Sequence, residues 1–140
     1  MGLLSAQVEI GVRFNEVDSL TIVWHGHYLT YFEDAREAFG RKYGLGYLDI
    51  YNQGYVTPLV SIHCDYKRPL RYGDKAIVEA VYIDSKAAKI MMEYKVLNPD
   101  TQEVLATGYS VQAFLTRDNF ELSLTVPAFF EKWKKTNGLL

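Results

Sequence analysis

From Tyr28 to Phe39 the spacing of apolar residues is three and four. On either side of that stretch the chain is mainly strand-like. Tyr28, Tyr31, Phe32, Ala35, Ala38 and Phe39 recur at helical intervals, and Leu29 broadens the stripe. The spacing predicts a helix from about His27 to Tyr43. Glu33 and Asp34 fall in its first half and Arg41 and Lys42 in its last turn, an order that suits the helix dipole. Gly44 is placed to end it in a left-handed conformation. A single long helix with so wide an apolar face must be covered by the rest of the chain.

The cover is legible as strands. Residues 6–16 alternate, with Val8, Ile10, Val12 and Phe14 on one face and Glu9, Gly11 and Arg13 on the other. Residues 17–26 break the pattern with the turn chemistry of Asp18, Ser19 and Gly26. After the helix, residues 46–53 suit a short turn or helical piece. Residues 54–66, 75–83, 88–97 and 103–116 then read as long strands joined by tight turns, Asp84-Ser85-Lys86 and Asn98-Pro99-Asp100 among them. The expectation is a meander of antiparallel strands, closed by a short helix over 127–136 that opens with Pro127. Residues 103–116 have edge-strand potential, which pairing of sheets in an oligomer would satisfy. The class expected is α+β, a curved antiparallel sheet wrapping one helix.

The 140 residues suit one domain spanning 1–140. The net charge of −2 argues against a nucleic-acid partner bound by bulk electrostatics. No apolar run approaches the roughly 20 residues of a membrane helix, and the start lacks the basic stretch of a secretory signal. The expectation is a cytoplasmic protein with no membrane partner. Cys64 is the single cysteine, which excludes an intramolecular disulfide. No zinc-type spacing of Cys and His occurs, so neither metal nor cofactor is implied. Eleven Tyr and 7 Phe call for a large core, an oligomer interface or an apolar pocket.

The chemistry-bearing stretch is Arg13-Phe-Asn-Glu-Val-Asp18-Ser-Leu-Thr-Ile-Val-Trp24-His25-Gly-His27-Tyr28, running on to Glu33-Asp-Ala-Arg36. It resembles the opening motif of the 4-hydroxybenzoyl-CoA thioesterase family. The run Thr57-Pro-Leu-Val-Ser-Ile-His-Cys-Asp-Tyr66 is similar to that family's second strand, and Pro69-Leu-Arg-Tyr-Gly-Asp74 to the turn after it. The likeness extends from about residue 6 to residue 117. It implies a hotdog fold, one long helix wrapped by a five-stranded antiparallel sheet. It also implies dimers that join two sheets, often pairing again as homotetramers, with active sites at the subunit interface. The implied activity is hydrolysis of an acyl-CoA to a free acid and CoA. The alternative is a hotdog protein that binds acyl-CoA or acyl carrier protein without cleaving it. A hydratase reading is disfavoured, because those relatives pair aspartate and histidine at a shorter spacing than Asp18 and His25.

Within the resemblance, Asp18 matches the catalytic aspartate, as nucleophile or general base. His25 matches the residue whose backbone N–H points at the thioester oxygen. On composition alone Asp18 is a turn residue making an Asx turn. Lys86 and Lys89 flank the turn where relatives hold the CoA phosphates, and Arg68, with Lys67 and Arg71, forms a second basic cluster. Tyr28, from the largely core-facing aromatic stripe, and Thr57 complete the expected substrate-binding set. Glu33 is the rival carboxylate, with an ordinary ion pair to Arg36 expected instead. His27 is expected to pack or face solvent, His63 to be structural, and Cys64 to be inert. One departure stands out. Many relatives carry glycine shortly after the aspartate, and here the turn reads Asp18-Ser19-Leu20-Thr21. A β-branched Thr21 suits positive φ poorly, so the loop is expected to differ locally or never to have needed it.

Overall fold

The computed structural model of the chain describes residues 3–140. Strand β1 (Ser5–Gly11) leads through a 3-10 turn (Phe14–Glu16) to helix α1 (His27–Tyr43). Short helix α2 (Tyr47–Asn52) follows, then β2 (Tyr55–Val56), β3 (Leu59–Tyr66), β4 (Lys75–Ile83), β5 (Lys89–Leu97), β6 (Val104–Ala113), β7 (Leu115–Thr116) and helix α3 (Ala128–Thr136). Five strands form one antiparallel sheet in the order β1-β4-β5-β6-β3, and β2 and β7 make a small second ladder.

Alternation decides which face of the sheet meets the helix. Ala76, Val78, Ala80 and Tyr82 of β4 are buried, as are Ile90, Met92, Tyr94 and Val96 of β5. Against them α1 sets Tyr28, Tyr31, Phe32, Ala35 and Phe39. Phe32 is fully buried and stacks on Tyr94, with ring centroids 4.5 Å apart and planes 8° apart. That approach requires a strand position without a side chain. A Cβ on Gly108 would lie 2.5 Å from the Phe32 ring and from the His63 carbonyl. Gly44 ends α1 at φ 71°, and its N–H donates to the Gly40 carbonyl.

Five sequence readings change. The first strand stops at Gly11, and Phe14 is 74% exposed in the 3-10 turn, where its ring meets Tyr72 edge-on. Alternation alone carried it one turn too far, although Val12 is buried as expected. Pro58, which cannot donate to a ladder, lies where residues 54–66 split into β2 and β3. Residues 103–116 split likewise into β6 and β7. The meander holds for β4, β5 and β6, but β3 crosses to the far side of β6. The free edge beside β6 therefore belongs to β3, not to residues 103–116.

The registers give the molecule two ends. Tyr66 pairs with Ala106, and Ala106 with Val96, near the β5–β6 turn. Leu59 pairs with Gln112, one residue from the pairing of Lys89 with Ala113 at the β4–β5 turn. Helix α1 runs between these ends. The Tyr66 hydroxyl donates to the His25 carbonyl at its start, and the Tyr43 hydroxyl donates to the Ser5 carbonyl at its finish. It packs chiefly on β1 and β4, only lightly on β5, and leaves the β6–β3 side of the sheet less covered. Among the described residues no helix is long and apolar enough to cross a membrane.

Candidate active site

Asp18 sits in a hairpin bridged by Val17 and Val23. Its N–H donates to the Ile22 carbonyl (2.8 Å), and the Thr21 N–H donates to the Asp18 carbonyl (3.0 Å). That is a three-residue hairpin loop whose last residue must be left-handed. Thr21 fills that place at φ 66°. The loop thus keeps the geometry that glycine serves in relatives, and threonine bears the strain, about 1–2 kcal/mol for a non-glycine residue. Neither sequence expectation for Thr21 anticipated this.

The hairpin also orients the carboxylate. Asp18 Oδ1 accepts from the Leu20 N–H at 2.8 Å, an Asx turn. The turn role and a chemical role are compatible here, because among the described residues the second carboxylate oxygen has no partner. The hairpin is stitched to the rest of the chain through the Ile22–Arg71 bridge and the Val23 N–H, which donates to the Leu70 carbonyl (2.8 Å).

Four residues beyond Val23, at His27, the chain enters α1. The Trp24 N–H donates to the Glu16 carbonyl at 2.9 Å, whereas among the described residues the N–H groups of His25 and Gly26 have no acceptor. Free amides at a helix start are a ready-made site for developing negative charge. The adjacent carbonyl is engaged: the Tyr66 hydroxyl donates to His25 O at 2.8 Å. Tyr66 in turn rests edge-on against the buried Tyr28 ring at 5.0 Å. Trp24 lies over Gly26, where any Cβ would collide with the indole, and its ring neighbours both His25 and His27. The side chain of Tyr66 was not singled out from sequence. Its only signal was an aromatic residue at the end of a strand.

The other expected residues divide between the two ends. Arg68 lies at the His25 end, with Nε 3.2 Å from the Glu103 carboxylate. Thr57, Lys86 and Lys89 lie at the opposite end. The Thr57 carbonyl accepts from Gln112 Nε2 at 2.7 Å. Lys86 and Lys89 are exposed, and among the described residues neither ammonium makes an ion pair. Their turn is held from below by Lys134, a residue not singled out from sequence. Its buried ammonium lies 3.0 Å from Asp84 Oδ1 and donates to the Ser85 carbonyl at 2.6 Å.

Glu33 and Arg36 do not form the expected ion pair. Arg36 Nη1 donates instead to the Tyr94 hydroxyl at 3.0 Å, and that hydroxyl shares a 2.5 Å hydrogen bond with Ser110 inside the core. His63 faces away from the helix, 3.0 Å from Asp65 and stacked on Tyr109. Cys64 is half-buried on the helix side of β3, and burial pushes its thiol pKa up, the opposite of an activated nucleophile.

One long helix laid on a five-stranded antiparallel sheet of this order is the hotdog architecture. The chain belongs to the Thioesterase-like superfamily, whose family model matches residues 12–133. It is 37% identical over 91 residues to "Putative acyl-CoA thioesterase YneP" of Bacillus subtilis (strain 168), which covers 65% of this chain and 66% of that one. It is 25% identical over 122 residues to "Acyl-acyl carrier protein thioesterase ATL3, chloroplastic" of Arabidopsis thaliana, covering 87% of this chain and 63% of the relative. The match thus spans just under two-thirds of each of these relatives. Among solved structures, a DHNA-CoA thioesterase from Staphylococcus aureus superposes with a TM-score of 0.83 at 26% identity, over 96% of this chain and 92% of that one.

Proposed function

We propose that the protein is an acyl-CoA thioesterase working as a dimer. The observation that carries this reading is the pairing of a carboxylate with a helix start. Asp18 is held by one oxygen with the other free, on a hairpin that leads within a few residues to the unpartnered amides of His25 and Gly26. Thioester hydrolysis asks for those two parts, a base or nucleophile and a donor for the oxygen that gains charge. Asp18 takes a proton from water as its oxygen attacks the carbonyl carbon. The carbonyl electron pair moves onto the oxygen facing the His25 and Gly26 amides. As the pair returns, the C–S bond breaks, and CoA leaves as the thiolate or takes up the proton. The products are a carboxylic acid and free CoA.

The dimer follows from the exposed edge. Strand β3 ends the sheet, and its Leu59 (41%), Val60 (58%) and Tyr66 (50%) are exposed. An unpaired edge of 8 residues with apolar side chains invites pairing with a second copy. A two-fold axis makes that pairing antiparallel, which sets the Leu59 end of one strand opposite the Tyr66 end of the other. Thr57, Lys86 and Lys89 of one subunit then approach Asp18 and His25 of its partner. This reading gives the lysines a role as CoA phosphate ligands, which a single chain does not permit.

The test is thiol release from a panel of acyl-CoAs by wild type and Asp18→Asn. Turnover that falls by about 10² or more in the variant supports the reading. Saturable binding without turnover favours a non-hydrolytic carrier role. A second panel of acyl carrier protein thioesters separates the two carrier classes.

A further inference from the structure

A cavity of about 520 Å³ opens beside α1 at the Thr57 end of the sheet, within the range of small-molecule sites. Its walls are largely apolar, with Leu45, Ile50, Ile90, Met92 and Phe120 contributing. Set into that wall is Arg36, a permanent cation. Among the described residues no carboxylate lies within ion-pair distance of it. One of its nitrogens donates to the Tyr94 hydroxyl, which Ser110 braces from within the core. The guanidinium is therefore aimed by a buried neutral relay, and its remaining donors are left for something else. The other charged groups at the cavity are accounted for. Glu37 lies 3.9 Å from Arg41, and Glu33 is exposed, where solvent screens its charge.

A fixed cation in an apolar cavity is a site for an anion on an apolar stem. We infer that the acyl group ends in a carboxylate, bound by Arg36 at the far end of the cavity from the thioester. The inference rests on the dimeric thioesterase reading, in which this end of one subunit faces the Asp18 hairpin of its partner. The substrate class is then the CoA monothioester of a dicarboxylic acid. The enzyme distinguishes it from a plain fatty acyl group by one charge-assisted pair.

Two thioesters of equal chain length make the test. Adipoyl-CoA ends in a carboxylate, and hexanoyl-CoA ends in a methyl group. The wild-type kcat/KM is expected to favour adipoyl-CoA, and Arg36→Gln to lower the adipoyl-to-hexanoyl ratio by about tenfold or more, the loss of one charged hydrogen bond. Arg36→Lys, which keeps the charge but not the fork, falls between them. A wild-type preference for hexanoyl-CoA, or a ratio that Arg36→Gln leaves unmoved, overturns the inference. If neither thioester turns over in wild type, the hydrolase reading falls on its own. Dissociation constants of the two intact thioesters, measured by calorimetry in wild type and Arg36→Gln, then report the same ratio. Thermal unfolding of each variant separates loss of recognition from loss of the Tyr94 contact.

Discussion

The hydroxyl of Tyr66 and the carbonyl of His25, 41 residues apart, are joined by a 2.8 Å hydrogen bond. The His25 carbonyl and the Gly26 N–H belong to one planar peptide and point in opposite directions. Holding the oxygen therefore aims the amide. The intrahelical bond to the same oxygen, from the Tyr28 N–H, is long at 3.4 Å, so the phenol is the firmer restraint. Tyr66→Phe is expected to lower kcat by about tenfold with little change in KM, because donor alignment matters most in the transition state. Stability should change by less than about 1.5 kcal/mol, the usual worth of one hydrogen bond. Steady-state kinetics beside thermal unfolding check both statements.

With Oδ1 tied to Leu20, one oxygen of Asp18 remains free. That free oxygen is the one that takes the proton of water in the proposed reaction. Single-turnover hydrolysis in water enriched in heavy oxygen is expected to place the label in the product acid. Label found first in Asp18 by peptide mass analysis would make it a covalent nucleophile instead.

Thr21 at φ 66° stores strain that glycine would release. Thr21→Gly is expected to stabilise the fold by about 1 kcal/mol, after part of the gain is lost to the freer unfolded chain. Chemical denaturation reads this directly. Hydrolysis should persist, since the hairpin keeps its geometry.

Lys134 holds the Lys86 turn through Asp84 and the Ser85 carbonyl. Lys134→Met removes the grip and keeps the apolar stem. The expected result is about 2 kcal/mol of lost stability and a raised KM for acyl-CoA. KM for a truncated thioester lacking the nucleotide should not move. An equal change for both substrates would detach this turn from CoA recognition.

Burial raises the pKa of Cys64 above 9.0 and those of Tyr28 and Tyr82 above 10.0. Desolvation is the leading cause in each case, with the Asp84 carboxylate adding to it at Tyr82. A raised folded-state value favours the neutral form in the fold, so the unfolded chain ionises first. The stabilisation is complete below about pH 9 and is lost as pH rises past the unfolded values. Melting temperature is expected to fall steeply from pH 9 to 11, and Tyr82→Phe should flatten part of that slope.

Much of this architecture is written locally in the chain. The α1 stripe and Gly44 specify a helix and its end without help from distant residues. Strands β4 and β5 alternate cleanly because one face meets α1. What local patterns do not encode is which strands become neighbours. The move of β3 to the far side of β6 depends on pairing over more than 40 residues, as between His63 and Tyr109. The site divides in the same way. Asp18 and His25 stand in one short motif, whereas Tyr66 and Lys134 act on backbone that is remote in sequence. Arg36 shows the limit of neighbour rules. Its sequence neighbour Glu33 suggested a partner, and the fold supplied Tyr94, 58 residues away.

The indole of Trp24, half-exposed at 48% and lying over Gly26, gives the molecule a native optical gauge. The second tryptophan, Trp133, is buried near the finish of α1, where its Nε1 donates to the Tyr43 carbonyl. Its emission is a steady blue background. Anything that settles at the head of α1 displaces water from Trp24 alone, so fluorescence can time the arrival of a ligand separately from the breaking of its bond.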